Sequence, residues 1–180
     1  MKKILIALIS LLMLSSSYAQ AQKILIAYYS WSGNTRVVAT QIQALTGADI
    51  FEIKPVIPYS EDYDECVQVA KTEILENYKP ELIGNVENLS QYDIIFVGSP
   101  NWWSTIAPPV ATFLASYNFE GKTVIPFCTH GSGGVANLFT DMKNLCPNII
   151  IENGFAISGK SAETAQSELQ KWLQKLKIEN

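Results

Sequence analysis

The sequence predicts an α/β protein built on a doubly wound, five-stranded parallel sheet. Three observations predict this fold class. Five short segments have the apolar, β-forming character of strands, and the runs over residues 23–29 and 92–98 are continuous, as in strands that are buried on both faces of a parallel sheet. Segments with helical periodicity alternate with these runs, which favours helices on both sides of the sheet. The chain after its N-terminal leader has about 160 residues, the size of one domain.

The predicted strands are bounded by turn-forming or polar residues. The first is rich in β-formers, and Gly33 and Asn34 follow it as an interruption. The last is weakened by Gly154. In chain order the predicted strands are residues 23–29, 49–53, 92–98, 122–128 and 149–155.

Five helices are predicted from apolar residues at three- and four-residue spacing. Gly47 ends the first helix, and Pro108 and Pro109 suit the first turn of the third. The closing helix has the clearest amphipathic stripe. The predicted core-facing stripes are Val37, Val38, Ile42 and Leu45, then Tyr63, Cys66, Val67, Ala70, Ile74 and Leu75, then Val110, Phe113 and Leu114, then Leu138, Met142 and Leu145, and finally Ala165, Leu169, Trp172, Leu173 and Leu176.

The N-terminus is typical of a secretory signal peptide. Lys2 and Lys3 precede an apolar run over residues 4–14, and residues 19–21 (Ala-Gln-Ala) match the small-x-small cleavage pattern. The run is shorter than the ~20 residues that span a bilayer, although an uncleaved anchor is the alternative. We therefore expect residues 1–21 to be removed from an exported, periplasmic or secreted bacterial protein, leaving one domain over residues 22–180 with no membrane span.

Composition excludes several function classes. The formal charge is −4 and the lysines are scattered, so no basic stripe indicates a nucleic-acid partner. A single histidine and three unclustered cysteines do not suit a metal site. Cys66, Cys128 and Cys146 are expected to be small buried residues with free thiols, because the predicted elements hold them apart.

The loop after the first strand favours an anion. Its hydroxyls, its glycine and the backbone N–H groups of the following helix are the donors that bind phosphate. Ordinary capping of the helix by Ser32 or Asn34 is the alternative. The loop has neither the Gly-Lys-Ser/Thr of a nucleoside triphosphatase nor a G-x-G-x-x-G pattern. The candidate residues are Ser30, Trp31, Ser32, Gly33, Asn34 and Thr35.

This loop resembles the phosphate loop of the flavodoxin-like family, and two later segments resemble that family's flavin-ring loops. All three follow predicted strands and would converge at one edge of the sheet. The resemblance implies strand order 2-1-3-4-5, a bound flavin mononucleotide (FMN), and ring contacts from two sets of residues. These are Pro100, Asn101, Trp102, Trp103 and Ser104, and then Thr129, His130, Gly131, Ser132 and Gly133.

The ring loops have alternatives too. An indole stacks well on a flat ring, but one of Trp102 and Trp103 could fill the core instead. His130 could bond the O2 edge of the flavin, cap a helix or face water. A serine-hydrolase interpretation of Ser132 is disfavoured, because His130 occupies the position where the nucleophile elbow needs glycine.

The resemblance implies an FMN oxidoreductase, with the flavin supplying the chemistry and no catalytic acid or base in the protein. Electrons would pass from a reduced nicotinamide or protein donor to a quinone or similar acceptor. A non-catalytic flavin- or anion-binding module is the alternative. Residues 55–80 are longer and more helical than in a plain flavodoxin, and resemble an often-secreted subgroup. No acidic rim is found for docking basic redox proteins.

Overall fold

A computed structural model describes residues 22–178, so the predicted signal peptide over residues 1–21 lies outside the described part. Strands and helices alternate along the chain, as the sequence predicts. The strands are β1 (Ile24–Tyr28), β2 (Asp49–Glu52), β3 (Ile94–Trp102), β4 (Thr105–Ile106), β5 (Thr123–His130) and β6 (Phe155–Ser158). The helices are α1 (Asn34–Thr46), α2 (Tyr63–Leu75), α3 (Pro108–Ser116), α4 (Leu138–Leu145) and α5 (Gln166–Leu176). Short 3₁₀ helices cover Leu89–Gln91, Ile151–Asn153 and Gly159–Thr164.

Five strands form a parallel sheet in the order β2-β1-β3-β5-β6. Counted along the chain without β4, this is the predicted order 2-1-3-4-5, which is confirmed. The order reverses between β1 and β3, so the chain leaves these neighbouring strands toward opposite sides. A crevice at the carboxyl ends of the strands results from this reversal.

Both faces of the central strands are buried, which explains the continuous apolar runs in β1 and β3. On one face α1 and α5 pack through residues such as Ile42 and Leu169. On the other face α3 and α4 pack through residues such as Phe113 and Met142. Helices on both faces make the sheet doubly wound, as predicted. Cys66, Cys128 and Cys146 are buried free thiols, in agreement with the sequence analysis.

The predicted position of the last strand is wrong. The prediction was residues 149–155, whereas β6 covers Phe155–Ser158. Ile149 forms only an isolated bridge with Val124, and Gly154 follows a 3₁₀ turn before the chain joins β5. The apolar run was misleading because Ile149 is buried by packing, while the true edge strand alternates buried and half-buried residues.

Two other elements differ from the prediction. β3 continues to Trp102 and pairs with β4, a short antiparallel strand that the sequence analysis did not predict. α2 lies where predicted, but its stripe is only partly buried, because Tyr63 and Leu75 are exposed. Asp62 caps α2 by accepting a hydrogen bond from the Glu65 amide at 3.0 Å.

Among residues 22–178, no helix has the length and apolar character needed to cross a bilayer.

Candidate functional site

A cleft of about 540 Å³ opens at the carboxyl ends of β1, β3 and β5. Its volume is within the range of small-molecule sites. Ten of the predicted residues line it, drawn from all three predicted loops: Trp31, Ser32, Asn34, Pro100, Asn101, Trp102, Trp103, Thr129, His130 and Gly131. Six predicted residues do not line it: Ser30, Gly33, Thr35, Ser104, Ser132 and Gly133.

The first loop turns into α1 at Gly33. This residue has φ 91°, a left-handed conformation that glycine adopts without steric cost. Gly33 is the N-cap and no side chain caps the helix, so capping by Ser32 or Asn34 is wrong as an explanation of the loop. The first amide N–H groups of α1 have no carbonyl partner inside the helix. They are therefore available to an anion beside Ser32.

One hydroxyl of this loop is buried without a partner. Ser30 Oγ has no hydrogen-bond partner among the described residues. An unpaired buried hydroxyl is costly, since it loses water and gains nothing in return. A ligand oxygen at the loop would supply the missing partner.

The remaining hydroxyl of the loop joins it to β5. Thr35 Oγ1 lies 2.8 Å from Thr129 Oγ1, and both side chains are buried. Thr35 therefore lies behind the cleft surface, whereas Thr129 lines the cleft. The pair fixes the first turn of α1 against the third loop.

A tight hairpin turn presents the second loop. Trp103 and Ser104 connect β3 to β4, with φ of 51° and 68°. Positive φ at both positions is characteristic of the type I′ hairpin turn, in which asparagine, aspartate or glycine normally supplies it. A tryptophan in this conformation is strained, and such strain is found preferentially at functional sites.

The two tryptophans have different surroundings. Trp102 packs edge-on against Tyr29 and Tyr59, with ring centroids 5.5 and 4.9 Å away. Trp103 is 46% exposed, and its indole N–H donates to the Val67 carbonyl at 3.0 Å. Trp102 is thus fixed by the core. Trp103 is the more exposed of the two, and the Lys71 ammonium lies over its ring, 4.8 Å from the centroid.

The third loop is tied to the second. Asn101 Nδ2 donates to the Gly134 carbonyl at 2.6 Å. His130 is half-buried, and its Nδ1 atom is buried with no hydrogen-bond partner among the described residues. Ser132 and Gly133 are exposed and lie outside the cleft lining. His130 is therefore the residue of this loop with an unused polar atom beside the cleft.

Helix α2 forms a wall of the cleft that sequence reasoning missed. Its lining residues are Tyr63, Cys66, Val67 and Ala70. The Trp31 indole donates to the Ser60 carbonyl at 2.9 Å, just before the helix, and the Trp103 indole donates to Val67 within it. The signal was the apolar spacing of Cys66 and Ala70, which the sequence analysis assigned to the core alone.

The thiol on this wall is unreactive. Burial, with a smaller contribution from Glu73, raises the pKa of Cys66 to about 11. The group stays protonated at neutral pH, and a protonated thiol is a poor nucleophile and metal ligand. Cys66 therefore gives the cleft an apolar surface.

A fourth loop also reaches the cleft. Gly159 and Lys160 line it from the start of the 3₁₀ helix after β6. Ser158 Oγ lies 3.4 Å from the Gly131 carbonyl, which it can donate to across the neighbouring strand ends. The sequence analysis missed both residues because it placed the last strand too early, although a glycine and a lysine do follow the strand.

Comparison with known proteins identifies the family. The flavodoxin family model matches residues 23–176, almost all of the described chain. The chain belongs to the flavodoxin family. Its fold and strand order are those expected of a flavodoxin. No curated protein gives a significant match to the sequence.

Several solved structures resemble this flavodoxin. A protein from Bacteroides eggerthii described as a flavoprotein is 28% identical, covers 87% of this chain and 99% of its own, and has a TM-score of 0.75. A Lactobacillus acidophilus flavoprotein in complex with FMN is 27% identical, covers 84% of this chain and 99% of its own, and has a TM-score of 0.65. Oxidised flavodoxin 2 from Bacillus cereus, at 19% identity, covers 85% of this chain and 99% of its own with a TM-score of 0.50, and supports the fold alone.

Proposed function

We propose that this flavodoxin binds FMN in the cleft and acts as an oxidoreductase. It passes electrons from a reduced nicotinamide or protein donor to a quinone or similar acceptor. The observation that carries the proposal is a single cleft with the N-terminal turn of α1 at one end and the exposed indole of Trp103 in its lining. These features suit a phosphate and a flat aromatic ring respectively.

The phosphate end fits FMN through neutral donors. Ser32 lines the cleft, the first amide N–H groups of α1 are free within the helix, and Ser30 Oγ lacks a partner among the described residues. Together they supply hydroxyl and amide hydrogens to an anion at a helix N-terminus, where the helix dipole adds favourable charge.

The ring end fits a flavin through apolar surface and one polar atom. Trp103 and the α2 residues Val67 and Ala70 line this part of the cleft. His130 Nδ1 is available to bond a ring edge. A relative of the same fold, the Lactobacillus flavoprotein, was solved with FMN, which supports the same ligand here.

The bound flavin would supply the electron-carrying chemistry. The residues of this chain bind and orient it, and exclude water from one face of the cleft. No carboxylate or reactive thiol lines the cleft among the described residues, so we assign no catalytic acid or base.

Spectroscopy and turnover test the proposal. Purified protein should become yellow with FMN, in a one-to-one titration, and should oxidise NADPH or NADH when a soluble quinone is added. Riboflavin, which lacks the phosphate, should bind to the same protein more weakly than FMN. Failure to bind FMN would overturn the proposal, while tight binding without turnover would reduce it to the flavin-binding module considered above.

We propose export as well. The basis is the sequence pattern of residues 1–21, with cleavage expected to leave Gln20 or Gln22 at the mature N-terminus. Intact mass of the exported protein tests it, and Ala21→Glu should abolish the Gln22 product because signal peptidase needs a small residue there. A full-length chain retained in the membrane would contradict it.

A further inference from the structure

Among the described residues, one lysine and no arginine line the cleft. Lys160 lies at its rim, exposed, in the 3₁₀ helix Gly159–Thr164. No aspartate or glutamate lines the cleft in the described part of the chain. The ion pairs found within residues 22–178 join Lys23, Arg36 and Lys54 to carboxylates on β2, and none includes Lys160. Its ammonium group is therefore free to meet an anion in the cleft.

The other cation near the first loop is already engaged. Arg36, the single arginine of the chain, lies in the first turn of α1. Its Nε donates to Glu52 Oε1 at 3.1 Å, and a second guanidinium nitrogen binds the same oxygen. This pairing to a β2 carboxylate uses the planar face that Arg36 would otherwise offer to a phosphate.

The segment that carries Lys160 is held against the first loop. A Cβ at Gly159 would lie only 2.4 Å from Asn34 Nδ2, so the backbone touches the start of α1. Asn34 Nδ2 in turn lies 3.2 Å from Ser32 Oγ, to which it donates. Farther along, Gln41 Nε2 donates to the Ala162 carbonyl at 2.7 Å, which anchors the 3₁₀ helix along α1. Lys160 thus projects from a backbone fixed beside the phosphate end.

We propose that the Lys160 ammonium is the counter-charge for the FMN phosphate. The inference rests on the proposed function, because it takes the anion at α1 to be that phosphate. A phosphate monoester carries nearly two negative charges at neutral pH, and the first loop offers it neutral donors only. Lys160 supplies the missing charge and makes the site discriminate phosphorylated from unphosphorylated flavin.

The test compares two lysine substitutions of equal charge change. Lys160→Gln removes the ammonium at the cleft, and Lys171→Gln removes an exposed one on α5, which does not line the cleft. FMN and riboflavin are titrated into both variants and the wild type at low and high salt. For an exposed charge we expect Lys160→Gln to weaken FMN binding about threefold to tenfold at low salt and less at high salt. Riboflavin binding should not change, and Lys171→Gln should match the wild type.

Each other outcome has a definite meaning. Equal losses for FMN and riboflavin would overturn the inference, because the ring and not the phosphate would then sense Lys160. Unchanged FMN binding in Lys160→Gln, or an equal loss in Lys171→Gln, would also overturn it. Wild-type protein that binds no FMN would overturn the proposed function itself, and the failures are therefore distinguishable. Lys160→Glu, expected to lose more FMN affinity than Lys160→Gln, checks the sign of the charge effect.

Discussion

The Thr35 and Thr129 hydroxyls lie 2.8 Å apart, and this bond joins the first turn of α1 to the end of β5. Either oxygen can be the donor, so the pair can leave one hydrogen for a ligand. If Thr35 donates to Thr129, the Thr129 hydrogen is free to bond a ligand in the cleft, which Thr129 lines. The bond therefore couples the phosphate end of the cleft to the loop beneath the ring.

Replacing Thr35 with valine should affect both stability and binding. Val keeps the shape but leaves the buried Thr129 hydroxyl unpaired, which costs about 1–3 kcal/mol in free energy of unfolding. FMN affinity should also fall, because Thr35 holds the first turn of α1, with its free amide N–H groups, against the third loop. Riboflavin affinity should hardly change. Chemical denaturation and fluorescence titration measure the two effects.

The double variant Thr35→Val/Thr129→Val is the control for stability. It removes both partners, so much of the lost stability should return, while FMN affinity stays low. Equal losses of FMN and riboflavin in Thr35→Val would contradict a role at the phosphate.

Gly33→Val should spoil the phosphate loop through its backbone. Gly33 has φ 91°, and a Cβ there would meet no protein atom within 4 Å. The cost is therefore backbone strain of roughly 1–2 kcal/mol, with the side chain projecting into open space at the loop. We expect strongly reduced FMN affinity in a calorimetric titration.

Gly121 offers a matched control. It has φ 72°, also has no atom within 4 Å of a built Cβ, and does not line the cleft. Gly121→Val should lose similar stability and keep full FMN affinity. If both variants lose affinity equally, strain alone explains the effect and the loop assignment fails.

The free energy of unfolding should decrease at alkaline pH because of the buried thiols. Burial raises the pKa of Cys128 from 9.0 to about 12 and that of Cys66 from 9.0 to about 11. A raised pKa means that the unfolded chain loses these protons first. Below pH 9 the two thiols therefore make a constant contribution to the free energy of unfolding. Above pH 9 each thiol lowers that free energy by up to about 1.4 kcal/mol per pH unit, until the pH reaches its folded-state pKa of about 11 for Cys66 or about 12 for Cys128.

Urea unfolding between pH 7.5 and 10.5 measures this slope. Cys128→Ala removes one titrating group, so its slope above pH 9 should be shallower than that of the wild type. A stability that stays flat to pH 10.5, or an identical slope in the variant, would show that the thiols are not the cause.

Most of the sheet could be predicted because strands that are buried on both faces form apolar runs that are visible in the sequence. β1 and the first half of β3 are continuously apolar, and β5 is nearly so, because both faces of these central strands are covered. β6 has a weaker apolar pattern, because an edge strand needs only one well-buried face. β4 could not be predicted, because the Trp103-Ser104 turn before it lacks the usual glycine or asparagine of a hairpin.

The site was predicted only where its residues follow strand ends within the recognised loops. The α2 wall depends on how residues 55–80 fold back over the sheet, which no local pattern specifies. Cys66 and Ala70 look the same in sequence whether they face a core or a cleft. Lys160 was missed because the last strand was placed too early, and the packing of its neighbour Gly159 on Asn34 joins segments 125 residues apart (159 minus 34), which no local pattern specifies.

The two tryptophans should give opposite phenotypes. Trp103 presents a half-exposed ring to the cleft, and an indole stacked on a flavin quenches its emission by electron transfer. Trp103→Ala should remove about 1–2 kcal/mol of ring contact and brighten bound FMN, while phosphate binding persists. Trp102 packs edge-on against Tyr29 and Tyr59, so Trp102→Ala should leave a cavity and cost about 3 kcal/mol in stability.

Fluorescence titration and thermal unfolding of both variants beside the wild type separate these effects. Trp103→Phe is a useful third variant, because it keeps an aromatic face but loses the hydrogen bond to the Val67 carbonyl. It should retain most FMN affinity if stacking dominates, and should resemble Trp103→Ala if the bond to α2 dominates. Bound-FMN emission and affinity that are unchanged in both alanine variants would contradict the proposed place of the flavin ring beside Trp103 in this cleft.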